Sequence, residues 1–471
     1  MTRLRSAQAV IQAVLRDTNL LLTGKRVAIA GDAPPGLAAR LRAMGAHPGS
    51  PIGEADLVFG EAVQPSEVKA GAIVAGNVRR GGPGGGHGGG QGGGHGGGLG
   101  TGAERIAWAR RFMPVLGALA GDLRLDGARI GLVLVLEPKT AVLALTLRDA
   151  GAEVTVHCPG RETDDDVAAA LAREGVGVLA KRGTTRAEDD DLARRMLDQG
   201  LDLLVDDGSR VIRLAHAEDR LGPIRGAAEE TTSGLRPLRV MRERGELRVP
   251  VMAVNDARSK VLFDNVYGTG QSCVMAALDL TGLELDGAVV AVAGYGHVGQ
   301  GVARYAAALG ADVVVSEVEP FAALRAHHDG HRVLPLVRAC AEADLVFSAT
   351  GIAHTITAGH LAAMRPGTYV AVAGGVRDEV ELPAPGHVTV LADGECVNCA
   401  AAEGNPVEIM DLSLSVQALA VEHLLHHDLP PAVHLLPEAL DERVARLKLA
   451  ALGLDLDRAT EQQRAFLGSG L

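Results

Sequence analysis

The stretch DGAVVAVAGYGHVGQGVARYAAALGADVVVSE, Asp286 to Glu317, decides the fold. It opens with an apolar, β-branched run, Val289 to Ala293, which reads as a strand buried on both faces. GYGHVGQG follows and fits G-x-G-x-x-G with Gly294, Gly296 and Gly299. A helical pattern runs from Val302 to Leu309, and a second strand, Asp312 to Val315, leads to Glu317, 18 residues past Gly299. Gly294 permits the tight strand-to-helix turn, Gly296 lets the backbone approach a pyrophosphate, and Gly299 lets the helix close on the strand. The pyrophosphate is expected on the amides of the helix N-terminus. Glu317 can accept hydrogen bonds from a ribose diol and would repel a 2′-phosphate, so NAD is expected rather than NADP. The glycines alone are a weak signal; strand, glycines, helix, strand and acid in that order specify a dinucleotide-binding Rossmann unit.

The N-terminal segment partly repeats this unit. SAQAVIQAVLRDTNLLLTGKRVAIAG, Ser6 to Gly31, lines up without a gap against TGQSCVMAALDLTGLELDGAVVAVAG, Thr269 to Gly294, at an offset of 263 residues. EADLVFG from Glu54 echoes EADLVFSATG from Glu342. The copy is degenerate at its turn: GDAPPG puts Ala33 where the close-approach glycine belongs, and Pro34 and Pro35 each remove an N–H donor. It is expected to be a packing or dimerisation module rather than a second cofactor site. GGPGGGHGGGQGGGHGGGLG, Gly81 to Gly100, reads as a flexible linker that cannot pack a core. His87 and His95 on such a chain make a poor metal site.

From Gly102 onward strands and helices alternate. IAWARRFMPVLGAL reads as one helix, ARIGLVLVL as a buried strand, AEVTVHC as another, and LDLLVDD as a strand ending at Asp206, Asp207 and Gly208. This alternation implies a parallel α/β sheet, with ligands at the carboxyl ends of its strands. The expected organisation is a degenerate Rossmann-like module over 1–80, the linker over 81–101, and a substrate-binding domain over 102–254. The NAD-binding Rossmann domain follows over 255–404, and 405–471 returns to the substrate domain. Composition is 47% hydrophobic and 22% charged with a net charge of −12. With no basic cluster, nucleic acid and anionic membranes are poor partners. No apolar run approaches the roughly 18 residues of a membrane span. Five scattered cysteines and no signal peptide point to free thiols in a reducing cytoplasm. Cys396 and Cys399 lack the further ligands of a zinc site, so no metal is expected.

Two polar constellations precede the Rossmann unit. AAEETTSG carries Glu229, Glu230, Thr231, Thr232 and Ser233, and VNDARSKVLFDNVYGTGQS carries Asn255, Asp256, Lys260, Asp264, Asn265 and Ser272. With VAGYGHVGQG, Glu317, the SATG turn and VNCAAAEGNP, they resemble, in this order, the S-adenosylhomocysteine hydrolase (adenosylhomocysteinase) family. The resemblance covers roughly Gly102 to Gly468. It implies oxidation of a nucleoside 3′-hydroxyl by a tightly held NAD, loss of the acidified C4′ proton with the 5′ thiol, addition of water, and reduction back. It further implies a small-molecule nucleoside or sugar substrate, a homo-oligomer and a place in one-carbon metabolism. Matched position by position, Thr231, Thr232, Ser233, Asn265, Gly294, Gly296, Gly299, Glu317 and Asn398 fall where the family contacts NAD. Glu230 and Asp264 match the carboxylates that hold the sugar hydroxyls, Lys260 the lysine beside the 3′-hydroxyl, and Asp207 the acid of the acid–base pair.

Other positions depart from the pattern. Where the family reads LHMTVETA this chain reads LVLEPKTA, so Val135 replaces a histidine and Lys139 a base-contacting glutamate. Gly375 and Asn405 replace two further histidines, Glu403 a methionine, and Thr269 a cysteine. The ribose side survives while the base side changes. The expectation is an NAD-dependent, adenosylhomocysteinase-like enzyme that oxidises a nucleoside or sugar hydroxyl, with elimination and addition on a substrate other than S-adenosylhomocysteine. The alternatives are the authentic hydrolase and a non-catalytic NAD-binding regulator.

Overall fold

The computed structural model describes residues 6–60, 63, 67–75, 100–125, 127–376, 378–384 and 386–469. Most of the expected linker, with His87 and His95, lies outside them. The decisive stretch folds as the strand Val289–Ala293, the helix His297–Ala308 and the strand Asp312–Ser316. Val289–Ala293 sits inside a six-stranded sheet, because alternate β-branched side chains face helices on both sides and leave no polar face. The order is Arg332–Val333, Asp312–Ser316, Val289–Ala293, Leu345–Ser348, Tyr369–Val372, Thr389–Val390, and every pairing is parallel. This is the doubly wound Rossmann order, with its switch point between Val289–Ala293 and Leu345–Ser348.

A second, seven-stranded parallel sheet runs Val433–His434, Val251–Ala253, Gly226–Glu229, Leu203–Asp206, Arg129–Val133, Glu153–Cys158, Gly177–Ala180. Its edge strand Val433–His434 comes from far along the chain. A third, four-stranded parallel sheet is built from His47–Pro48, Arg26–Ile29, Leu57–Phe59 and Ile73–Val74. Its order repeats that of the six-stranded sheet around Val289–Ala293, as the repeated sequence predicts. Together the three sheets make the α/β, Rossmann-like fold that the sequence implies.

The expected helix IAWARRFMPVLGAL is two helices, Gly102–Arg111 and Pro114–Ala120. Pro114 cannot donate to a preceding turn, so it ends one helix and starts the next. The new start is capped from a distance, since Asp411 accepts from the amides of Val115 at 3.1 Å and Leu116 at 3.0 Å. Asp411 belongs to the 20-residue helix Val407–His426, which is buried along most of its length against the seven-stranded sheet. Among the described residues no helix is long and apolar enough to cross a membrane.

Candidate active site

The carboxyl end of the seven-stranded sheet and the glycine turn of the six-stranded sheet line one cleft of about 490 Å³. Its wall includes Asp207, Glu230, Lys260, Asp264 and Asn265, then Thr231, Thr232 and Ser233, and Gly296 and Asn398. Gly294, Gly299 and Glu317 do not line it; the two glycines belong to the turn that carries Gly296, and Glu317 is hydrogen-bonded to that turn.

Each glycine of the turn has a separate geometric reason. Gly294 has φ +93°, in the left-handed region, and a Cβ there would lie 3.1 Å from Ala349 O. A Cβ on Gly299 would lie 2.0 Å from Gly294 O, so helix and strand approach only because it is absent. Around Gly296 a Cβ would meet nothing within 4 Å, so the turn opens onto free space. No side chain caps the helix that begins after Gly296, and its first amides face that space. Glu317 accepts from the Tyr295 amide at 2.6 Å and from Val318 at 2.7 Å. It is thereby held beside the turn. These features fit a dinucleotide pyrophosphate and ribose.

Lys260 is 4% exposed and sits among carboxyls. Its Nζ lies 2.7 Å from Asp264 Oδ2 and donates to Asn265 Oδ1 at 3.0 Å. Asp264 and Asn265 lie on a π-helical turn, Asp264–Thr269, which puts consecutive residues on the same ammonium. Burial pushes the Lys260 pKa down, but Asp264, Glu230 and Asp207 outweigh it, so the net shift is upward. The sequence left that balance open; in the folded chain Lys260 is an ammonium. Glu230 is pushed up to about 7 by burial, against the pull of Lys260. Burial also raises Asp207. One cation thus faces three carboxyls, two of them raised.

Several contributors were not read from sequence. Ser413 Oγ and Gln417 Nε2 both donate to Glu230, the latter at 2.6 Å. They stand one turn apart on the helix Val407–His426, inside an almost wholly apolar stretch, and only their i, i+4 spacing hints at a shared target. Glu229 stands in the polar constellation read from sequence, but its role does not: fully buried, it accepts from the amides of Gly208, Ser209 and Thr231. It fixes the loop carrying Asp207 and the turn carrying Thr231. Glu162 lines the same cleft as Asp207, and burial, reinforced by Asp207, pushes it up to about 7.

Thr231 caps the helix Thr232–Glu243, and Thr232 Oγ1 donates to Asn255 at 3.1 Å. Asn398 donates to Ser272 Oγ and Asn405 Oδ1, each at 2.9 Å. Asn405 donates in turn to Asp264 and, at 3.2 Å, to Thr269. Asn405 therefore anchors the carboxylate beside Lys260. At the other end of the cleft Lys139 lies 2.7 Å from Glu137 Oε2 and donates to Glu403 O at 2.7 Å. Glu137 is itself occupied as the N-cap of Pro138–Asp149.

The model of the S-adenosyl-L-homocysteine hydrolase family matches residues 100–222 and 217–470. An S-inosyl-L-homocysteine hydrolase of Methanopyrus kandleri is 42% identical over 78% of this chain and 94% of its own. Adenosylhomocysteinases of Archaeoglobus fulgidus and Thermotoga maritima are each 40% identical over 78% of this chain, covering 98% and 99% of theirs. The matched span takes in both larger sheets and the cleft between them, and on this evidence the chain belongs to the S-adenosyl-L-homocysteine hydrolase family.

Proposed function

We propose that the chain hydrolyses the thioether of an S-nucleosyl-L-homocysteine to the nucleoside and homocysteine, with NAD resident at the Gly294–Gly299 turn. The observation that carries this is one cleft joining the Lys260–Asp264–Asn265 cluster, Glu230 and Asp207 to the open glycine turn. Near-full-length similarity to hydrolases of two such thioethers favours the family's own reaction over the unrelated sugar or nucleoside expected from the altered base side. A passive NAD-binding regulator has no use for a buried lysine among three carboxyls.

When bound, NAD supplies a reversible hydride acceptor for the nucleoside 3′-carbon. Thr231, Thr232, Ser233, Asn265, Asn398 and Glu317 are the residues assigned to hold it. The chain's own groups handle protons and orientation. Glu230 and Asp264 hold the ribose diol, and the Lys260 ammonium binds the 3′-oxygen, passing one of its protons to the Asp264 carboxylate 2.7 Å away as it takes the proton leaving that oxygen. The histidine missing at Val135 leaves no imidazole for the leaving sulfur. Asp207 and Glu162 take that work: Glu162, pushed up to about 7, can supply a proton near neutral pH, and Asp207 in the same cleft can accept one.

The base end selects among nucleosides. The Lys139 ammonium donates and cannot accept, which suits the 6-oxo group of hypoxanthine and opposes the 6-amino group of adenine. S-inosyl-L-homocysteine is therefore the preferred substrate and S-adenosyl-L-homocysteine the second. The test is homocysteine release from each by purified protein whose bound cofactor has been identified by mass spectrometry. Higher kcat/KM on the inosyl substrate supports the base assignment, and preference for the adenosyl substrate overturns it alone. Release from neither overturns the hydrolase reading.

A further inference from the structure

The N-terminal module docks on the six-stranded unit through contacts that repeat themselves. The 263-residue offset pairs Gln8 with Gln271, Leu20 with Leu283 and Leu22 with Leu285. Gln8 Nε2 donates to Leu283 O at 2.7 Å, and its Oε1 accepts from the Leu285 amide at 2.9 Å. Gln271 Nε2 donates to Leu20 O at 2.8 Å, and its Oε1 accepts from the Leu22 amide at 3.1 Å. Each buried glutamine makes the same two bonds to equivalent atoms of the other half.

The reciprocity continues beyond the first strand. Thr23 matches Asp286, and past the shortened turn, where MGA at Met44 meets LGA at Leu309, Arg40 matches Tyr305. Thr23 Oγ1 meets Tyr305 Oη at 2.8 Å, and Arg40 Nη2 meets Asp286 Oδ1 at 2.9 Å. The same two positions are thus used twice, once in each direction. The helices Ala7–Thr18 and Gly270–Thr281 pack on each other. Contacts of i with j and of j with i are those of an isologous two-fold interface. A residue on the axis meets its own equivalent, and Arg16, which matches Asp279, contacts it at 3.4 Å.

We propose that this helical face of the six-stranded unit is a two-fold pairing surface, and that the N-terminal module occupies it in cis as a built-in partner that keeps second copies of the chain off it. Arg16 makes the pairing hetero-specific. Two six-stranded units joined the same way would set Asp279 against Asp279 on the axis, whereas the module presents a guanidinium there. Tethering adds to the preference, because a linked partner acts at an effective concentration in the millimolar range.

The full chain tests this. Hydrogen exchange at the Leu22 and Leu285 amides reports docking, and sedimentation velocity over a concentration series reports self-association. Arg16→Asp places like charges on the axis and should speed exchange at both amides by roughly tenfold, the size expected when one coupled contact turns from attraction to repulsion. The swap Arg16→Asp with Asp279→Arg should restore protection. A chain carrying Gln8→Ala, Arg16→Asn, Arg40→Ala and Asp279→Asn has a weakened module and an uncharged axis. It should form an extra, concentration-dependent pair that wild type does not form. A swap that leaves both amides exposed overturns the proposal. So does a loosened chain, folded by circular dichroism, whose mass equals that of wild type at every concentration.

Discussion

Replacing Glu230 with glutamine should stabilise the protein at neutral pH. Glu230 is 6% exposed, and Ser413 and Gln417 donate to its two oxygens. Burial dominates its ionisation and carries the carboxyl from 4.5 to about 7 despite Lys260. A folded pKa above the unfolded one means that the neutral carboxyl is the stabilising form. That contribution is complete below about pH 4.5 and is lost as pH rises through about 7. At about 1.4 kcal/mol per pH unit, the gap is worth about 3 kcal/mol. Glutamine keeps the shape and never ionises: its oxygen accepts from Gln417, and its amide donates to the Ser413 hydroxyl, which can turn to accept. Urea unfolding of wild type and Glu230→Gln across this pH range should therefore show a difference growing in the variant's favour by up to about 3 kcal/mol and levelling off above pH 7. A difference constant with pH, or one growing in favour of wild type, would refute the reasoning, since it would mean that Lys260 and the two donors outweigh burial.

Three further substitutions separate fold from function. Lys260→Met should bind nucleoside yet reduce the resident NAD more slowly by roughly 10²–10⁴-fold, the usual worth of a positioned proton-transfer group; equal absorbance growth at the NADH band in both proteins would remove Lys260 from the reaction. Gly296→Val should keep the wild-type melting temperature, because its Cβ points into open space, but should lose co-purifying NAD. Gly294→Ala should lower the melting temperature, because Gly294 has φ +93° and its Cβ would crowd Ala349. Retained NAD in Gly296→Val would place the cofactor elsewhere.

The glycine turn was legible because its constraints are local: φ at Gly294 and the close approach at Gly299 follow from spacing within six residues. The parallel sheets were legible because buried strands need apolar runs. The support beneath the site was not. Ser413 and Gln417 reach Glu230 from more than 180 residues away, and in their own helix only the i, i+4 spacing marks them. The π-helical turn at Asp264–Thr269 has no periodicity of its own in so short a stretch. The ionisation of Lys260 depended on how many carboxyls the fold would gather, which is a property of the sheet ends and not of any motif. Asn405 looked like a loss when set against a histidine, and its bonds to Asp264 and Asn398 appear only in three dimensions.

The sequence of the N-terminal copy implies that one function of a unit has lapsed while another persists. A dinucleotide turn needs several amides converging on one point, and two prolines are enough to remove that convergence. Pairing through a helical face needs only that the face survive, and Gln8, Leu20, Leu22, Thr23 and Arg40 all lie outside the turn. Docking also reaches the candidate site. Asn19, which ends the helix Ala7–Thr18 in the left-handed region, accepts from the Val407 amide at 3.0 Å, and its side chain faces Glu403 and Gly404. Lys139 Nζ lies 3.5 Å from Asn19 Oδ1 and donates to Glu403 O. The loop carrying Glu403 and Gly404 is therefore held from one side by Lys139 and from the other by the module. Lys139, which the proposed function assigns to the base, is thus braced by the N-terminal module.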